Sequence, residues 1–205
     1  MSAGAPPGAI SPDLARPGAV ILARHGRPAL SRKIRLNAAE YREWWAAYEI
    51  AGLAPEQAPP PGLKAICDRA GFIIASTRPR SVETARTLTR GRVFAEDPIF
   101  VEAPLPPPSL PAWIRLSPRL WGFITRFLWW FFDHHDGEES RAQAHARAAE
   151  AARQLTELAA GGKDVVVVAH GFFNAMVARA LRRQGWRCIS DQGYRYWSAR
   201  RFERG

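Results

Sequence analysis

The sequence predicts an α/β fold, a three-layer sandwich in which helices cover both faces of a mostly parallel central sheet. Continuous apolar runs at 19–23 and 165–168, and shorter ones at 72–75 and 99–101, are typical of strands buried on both faces. Helical patterns alternate with these runs, as the crossover connections of a parallel sheet require. The 205 residues are enough for one domain, which we place at 19–205.

The predicted helices have recognisable ends. Asn37 begins a capping box ahead of a helix over 38–50, and Ser140 begins a second one ahead of an alanine-rich helix. Another helix follows the strand at 165–168 and ends at Gly185. The segment 194–202 is predicted to form an edge strand, which is the one candidate for pairing with a second copy; the oligomeric state stays open.

An aromatic segment interrupts the alternation of strands and helices. A Pro-rich stretch leads into residues 113–132, and together they predict a small, helical, aromatic-rich cap inserted at about 103–136. Three arginines and a proline break the apolar pattern, whereas a membrane-spanning helix needs about 20 mostly apolar residues. We therefore predict no integral membrane span. Packing over a cleft is favoured, and peripheral membrane contact through 113–132 is the alternative.

The N-terminal composition and the cysteine content bear on the cellular location of the protein. Residues 1–18 are small and Pro-rich, which predicts a flexible N-terminus, and they lack the pattern of a signal peptide. The two cysteines form no CxxC pair, which argues against a disulfide framework or a structural zinc site. Both features favour a cytoplasmic location.

The net charge is +10 and comes mostly from arginine, which favours an anionic partner. No zinc-finger spacing, bZIP heptad or RNP-like motif is present, so nucleic acid is not the predicted partner.

Chemically active residues follow the predicted strands. Ligands of open α/β sheets bind outside the carboxyl ends of the strands, and these ends carry Arg24 and His25, then Arg80, Glu102 and His170. An imidazole can attack phosphorus and form a phosphohistidine while guanidinium groups neutralise the phosphate oxygens. His25 is the candidate nucleophile, the arginines the phosphate ligands and Glu102 the acid and base. His170 is expected to hydrogen-bond the phosphoryl group. This chemistry requires no metal or other cofactor.

These residues resemble the motifs of the histidine phosphatase superfamily, also called phosphoglycerate mutase-like, over most of 19–202. Arg24-His25-Gly26 is similar to the family signature whose histidine becomes phosphorylated. The segment 76–85 is similar to the one that supplies a second phosphate arginine, here Arg80. Further similarities are a Gly-Glu-Ser-like element at 137–140 and the second-histidine segment at 168–174.

The chain also departs from the family pattern. Pro28 and Ser31 stand where the family commonly has a small hydroxyl residue and an asparagine, so Ser31 is the remaining candidate for a phosphate contact in that loop. Glu102 matches the acid of the family by its position after the third predicted strand.

The resemblance implies a metal-independent phosphatase acting on a small phosphorylated substrate. A mutase-type phosphotransferase is less favoured, because its longer insertions have no counterpart here. A noncatalytic phosphate or phosphoprotein binder is a further alternative. We expect the cap aromatics, Trp121 and Trp129 among them, to line the cleft and to favour a substrate with an apolar or stackable part.

Overall fold

The computed structural model describes residues 16–205. Residues 1–15, most of the segment predicted to be flexible, lie outside this range. In the described part of the chain, no helix is both long enough and apolar enough to cross a bilayer.

Within residues 16–205, six strands form one sheet in the order β3-β2-β4-β1-β6-β5. The first four strands of that order run parallel, whereas β6 is antiparallel to both β1 and β5. This arrangement confirms the mostly parallel sheet. The strands are β1 (Val20–Arg24), β2 (Phe72–Ala75), β3 (Ala95–Glu96), β4 (Val165–Ala169), β5 (Arg187–Asp191) and β6 (Ala199–Glu203).

In the same described part of the chain, six α-helices accompany the sheet: α1 (Ala38–Ile50), α2 (Pro61–Arg69), α3 (Pro79–Thr89), α4 (Pro118–Phe132), α5 (Arg141–Ala159) and α6 (Gly171–Arg183). The two predicted capping boxes are present, at Asn37 before α1 and at Ser140 before α5. Each satisfies amide groups that the first turn of a helix leaves without partners.

Successive strand residues point to opposite faces of the sheet, and both faces are covered. Val165 and Val167 pack in a cluster with side chains of α5 and α6, whereas Val166 and Val168 pack with side chains of α2 and α3. The predicted three-layer sandwich is therefore confirmed. A third, aromatic cluster joins α1 to Trp121 of α4, so that the cap packs on the first helix.

Two sequence predictions of local structure were wrong, and one helix was missed. Residues 99–101 do not form a strand: Pro98–Phe100 is a 3₁₀ turn, and the third strand is the two-residue β3. Pro98 has no amide N–H for a strand ladder, and the Asp97 side chain accepts the Ile99 N–H instead. The C-terminal strand β6 lies inside the sheet, because β5 covers its outer side and forms the edge. Helix α2 was not predicted, since its Pro-rich start resembles a loop.

Candidate active site

The two histidines lie side by side because their strands are neighbours. β1 and β4 pair in parallel with Arg24 opposite Ala169, so His25 and His170 leave the same edge of the sheet. Their ring centroids are 5.2 Å apart in an edge-to-face arrangement, and both side chains are at least 98% buried. Gly26 is required after His25, since an added Cβ would lie 2.5 Å from the Trp197 ring.

One nitrogen of His25 is fixed by the backbone. Nδ1 lies 2.6 Å from the carbonyl oxygen of Gly26, which can only accept, so Nδ1 carries the hydrogen and Nε2 keeps its lone pair. Burial lowers the pKa of His25 well below its usual value, and the nearby cations Arg80 and Arg24 lower it further. The imidazole is therefore a neutral nucleophile at neutral pH.

His170 is held in the opposite tautomer. Its Nδ1 lies 3.3 Å from Nη2 of Arg80, a group that can only donate, so Nε2 carries the hydrogen and donates to Ser76 Oγ at 2.9 Å. Burial lowers the pKa of His170 well below its usual value, with Arg80 and His25 as further causes. Because both histidines are neutral, the positive charge of the site comes from the guanidinium groups.

Arg80 is fully buried at the start of α3, and the last turn of α1 holds it. Its guanidinium donates to the carbonyl oxygen of Tyr48 at 2.8 Å and to the carboxylate of Glu49 at 2.8 Å. Its Cζ lies 4.4 Å from the centroid of the Tyr48 ring. These contacts fix the fork of Arg80 next to the two histidines, as bidentate phosphate binding requires.

Arg24 is fixed by the loop between β5 and β6. Its Nη1 donates to the carbonyl oxygen of Tyr194, and its Cζ lies 4.4 Å from the centroid of the Tyr196 ring. Burial lowers the pKa of Arg24 from its usual value, yet a guanidinium keeps its charge at neutral pH. Tyr196 is also 5.7 Å from the His25 ring, so one tyrosine orients both residues of the signature.

Glu102 reaches the same edge of the sheet from the 3₁₀ turn instead of a strand. Its carboxylate accepts the amide N–H of Phe173 at 2.7 Å and that of Phe172 at 3.3 Å, in the first turn of α6. A helix N-terminus favours a carboxylate by its dipole and its free amides. Arg147 of α5 steadies this turn, since it donates to the carbonyl oxygens of Ile99 and Val101.

A cavity of about 840 Å³ joins these groups. Five of the six residues predicted for the site line it: Arg24, His25, Arg80, Glu102 and His170. Ser31 is the exception. Its side chain is exposed, and its Oγ accepts the N–H of Lys33 at 3.2 Å. The neighbouring Arg32 lines the cavity instead and donates to the Tyr48 hydroxyl at 2.9 Å.

The remaining lining is cationic and aromatic. Among the described residues that line the cavity, Glu102 is the one carboxylate, against seven arginines. Beyond Arg24, Arg32 and Arg80, the arginines are Arg119, Arg126, Arg179 and Arg182, and the aromatic residues are Tyr41, Trp44, Trp45, Tyr48, Trp130, Phe172 and Tyr194. Such a surface attracts an anion and can stack on a flat or apolar group.

The cap lines the cavity through a different face of α4 than we expected. Trp121 and Trp129 lie in the core: Trp121 stacks on Tyr41, and the indole N–H of Trp129 donates to the carbonyl oxygen of Glu139. Residues eight apart on a helix share a face, and the neighbouring face carries Gly122, Arg126 and Trp130, which line the cavity. The expectation for Trp121 and Trp129 was therefore wrong.

Sequence reasoning missed Arg32, Tyr48 and Tyr196 as parts of the site. Tyr48 belongs to the apolar stripe of α1, which gives no sign that its ring supports Arg80 and Arg32. Tyr196 lies in a segment that was predicted to be a strand. Within residues 16–205, no group of three or more His, Cys, Asp or Glu side chains is suited to holding a metal ion.

Burial of two neutral histidines makes the stability of the fold depend on pH. An unfolded chain binds protons at His25 and His170 near pH 6.5, whereas the folded chain does so only at lower pH. Their contribution is thus fully present above about pH 6.5 and is lost as the pH falls below it, through the lowered pKa values of the folded chain. We expect the free energy of unfolding to fall by up to about 2.7 kcal/mol per pH unit in this window.

Denaturant unfolding of wild type and the His25→Asn/His170→Asn variant between pH 5 and pH 7.5 measures that slope. The double variant should lose most of it, and His145→Asn, which changes a less buried histidine, should keep it. An unchanged slope in the double variant would mean that other groups control the acid stability.

Comparison with known proteins agrees with the fold. No curated protein sequence matches the chain significantly. Among solved structures, the chain is similar to a mycobacterial glucosyl-3-phosphoglycerate phosphatase in complex with VO3, with 21% identity, coverage of 82% of this chain and 83% of that chain, and a TM-score of 0.53.

It is also similar to a phosphoglycerate mutase from Bacillus anthracis str. Sterne, with 14% identity, coverage of 84% and 83%, and a TM-score of 0.53. A third similar structure is a phosphoserine phosphatase mutant from Entamoeba histolytica in complex with phosphoserine, with 17% identity, coverage of 81% and 80%, and a TM-score of 0.51. At these identities the likeness shows the fold.

The family is shown by a sequence model. The model of the histidine phosphatase superfamily (branch 1) matches residues 20–189, a range that includes His25, His170, Arg24, Arg80 and Glu102. Because the match spans most of the chain, this protein belongs to the histidine phosphatase superfamily, branch 1.

Proposed function

We propose that this protein is a metal-independent phosphomonoesterase that works through a phosphohistidine on His25. The observation that carries the proposal is the fixed tautomer of His25, which leaves the Nε2 lone pair free in a cavity that the guanidinium groups of Arg24 and Arg80 also line. A lone pair aimed into a cationic cavity is the arrangement that attack on an anionic phosphorus centre requires.

In the first step, Nε2 of His25 attacks phosphorus and the bond from phosphorus to the ester oxygen breaks. Arg24 and Arg80 neutralise the equatorial oxygens, and His170 orients the phosphoryl group. In the substrate complex Glu102 carries a proton, because the negative phosphate beside it opposes a second negative charge. It gives this proton to the leaving alkoxide and becomes a carboxylate.

In the second step, water attacks the phosphohistidine. The Glu102 carboxylate takes a proton from this water, the phosphorus–nitrogen bond breaks, and its electron pair returns to Nε2. Inorganic phosphate leaves, and both side chains regain their starting protonation states. The cycle consumes one water and needs no metal ion.

The cavity lining supports a small phosphate monoester with an aromatic or apolar part as the substrate. The phosphate would lie against Arg24 and Arg80, and the rest of the molecule would lie among the rings that α1, α4 and α6 contribute. A cytoplasmic site of action stays a prediction from the sequence.

Hydrolysis of an aryl phosphate in the presence of EDTA tests the proposal. We expect the wild-type protein to release inorganic phosphate with multiple turnovers, at a rate that neither EDTA nor added Mg²⁺ changes by more than about twofold. Binding of inorganic phosphate without turnover would identify a noncatalytic binder. Transfer of the phosphoryl group to an added alcohol, without net phosphate release, would identify a phosphotransferase.

A further inference from the structure

Helix α4 has an exposed apolar face that the catalytic proposal leaves unexplained. Leu120, Phe123, Phe127 and Phe131 recur at intervals of three or four residues, so their side chains form one stripe along the helix. All four are exposed, Phe123 by 67% and Phe131 by 64%. We call these four residues the α4 stripe.

The α4 stripe is larger than the scattered apolar side chains that any soluble protein exposes. With side chains of about 200 Å² each, roughly half exposed, it presents on the order of 400 Å² of contiguous apolar surface. Trp113, which is 80% exposed, precedes the helix, and the exposed Phe132 ends it. An apolar patch of about 400 Å² is in the range of the largest patch on a typical monomer, which is often functional.

The charges around the α4 stripe indicate what docks on it. Helix α4 contains no acidic residue, and Arg119 and Arg126 flank the stripe on the side of the cavity. An apolar helix face with aromatic rings and a basic flank is the pattern of helices that lie in the interface of an anionic membrane. The net charge of +10 adds long-range attraction to such a surface.

A second copy of the chain fits the α4 stripe less well. A two-fold interface places the same patch of both subunits together, which would bring the basic flanks of two +10 chains close to one another. That arrangement adds repulsion, whereas an anionic lipid surface adds attraction.

We propose that the protein binds anionic membrane surfaces peripherally through the α4 stripe. In this orientation Leu120 and the three phenylalanines enter the boundary between headgroups and acyl chains, while the exposed Arg119 faces lipid headgroups. Because the adjoining face of α4 lines the catalytic cavity, docking places that cavity beside the bilayer. The proposal concerns localisation on lipid and holds whether or not the protein hydrolyses phosphate esters.

Vesicle co-sedimentation of the full-length protein tests it. The probes are vesicles of phosphatidylcholine with about one third phosphatidylserine, and vesicles of phosphatidylcholine alone. We expect wild type to bind the anionic vesicles at least about tenfold more tightly, and the difference to shrink in high salt. The Phe123→Glu/Phe127→Glu variant should lose at least about tenfold in apparent affinity for the anionic vesicles.

A matched control distinguishes the effect of losing the α4 stripe from the effect of the lower net charge. Val93→Glu/Ile189→Glu replaces two exposed apolar residues outside α4 and changes the charge by the same amount, so it should bind like wild type. Neither pair lines the cavity, so aryl phosphate hydrolysis in solution should be the same in all three proteins.

Three results would overturn the proposal. These are absence of binding to anionic vesicles, equal loss of binding in the two double variants, and concentration-dependent self-association in light scattering that Phe123→Glu/Phe127→Glu abolishes while no vesicle binding occurs. The third result would identify the α4 stripe as an interface between copies of the chain.

Discussion

His25→Ala should lower kcat/KM for aryl phosphates by at least about 10⁴-fold, which corresponds to about 5.5 kcal/mol of lost transition-state stabilisation. The substitution removes the Nε2 lone pair and with it the covalent route, while Arg24, Arg80 and His170 keep their contacts with the rest of the site. Residual hydrolysis would come from water attacking a phosphate held by the two arginines. Steady-state kinetics with an aryl phosphate measure the loss.

The phosphoenzyme provides a second readout of the same prediction. Rapid alkaline quenching after mixing with labelled substrate should trap phosphate on wild type in a form that survives alkali and is lost in acid. His25→Ala should trap none. His134→Ala is the matched control, since His134 lies outside the cavity lining. It should retain full activity and full labelling.

Two outcomes would contradict this role of His25. One is activity of His25→Ala within about tenfold of wild type, since a missing nucleophile costs far more than that. The other is labelling that persists in His25→Ala and disappears in a His170 variant, which would exchange the roles of the two histidines. Denaturant unfolding of His25→Ala verifies that a lower rate does not come from a lower folded fraction.

Much of this site was predictable because parallel strands bring distant residues together by a simple rule. Buried strands are visible in the sequence as short apolar runs, and the residue after each run lies at the same edge of the sheet. His25 and His170, 145 positions apart, become neighbours for this reason alone. The family motifs then gave each of these residues a role.

The parts of the site that depend on side-chain direction were not predictable. Ser31 and Arg32 are adjacent, and only the folded loop decides that Arg32 enters the cavity while Ser31 faces solvent. In the cap, a shift of one position on α4 separates the core residue Trp129 from the cavity residue Trp130. Trp129 and Trp130 have the same side chain, so only packing against the rest of the protein distinguishes them.

Edge elements were missed for a different reason. Strand β5 is mostly exposed and contains Arg187 and Asp191, so it lacks the apolar pattern by which strands are recognised. The segment that contains its partner β6 was therefore predicted to be an edge strand. The wrong third strand did not change the predicted position of Glu102, because the 3₁₀ turn at Pro98–Phe100 ends at the same edge of the sheet.

Glu102→Gln should separate the two chemical steps and show whether Glu102 is the proton donor. Without an acid, the expulsion of an alkoxide becomes slow, so kcat/KM for an alkyl phosphate should fall by about 10³-fold. A phenolate with a low conjugate-acid pKa leaves without help, so the first step with an activated aryl phosphate should slow by only about tenfold or less. The measurement is kcat/KM for a series of esters that differ in leaving group.

The second step should expose the base role of the same residue. Since the amide side chain of the Glu102→Gln variant cannot take a proton from water, the phosphohistidine formed from an aryl phosphate should accumulate, and phenolate should appear in a burst stoichiometric with the enzyme. The steady phase after the burst should be about 10²-fold or more slower than wild-type turnover. Stopped-flow detection of phenolate resolves the burst from the steady phase.

The contacts of Glu102 make this test discriminating. Its carboxylate accepts two amide N–H groups at the start of α6, whereas a glutamine offers one carbonyl oxygen, so part of any effect would come from a displaced helix end. Displacement would slow all esters equally and produce no burst, and that outcome would reduce Glu102 to a residue that positions α6. Glu138→Gln, in the loop before α5 and outside the cavity lining, is the charge-matched control and should leave every rate unchanged.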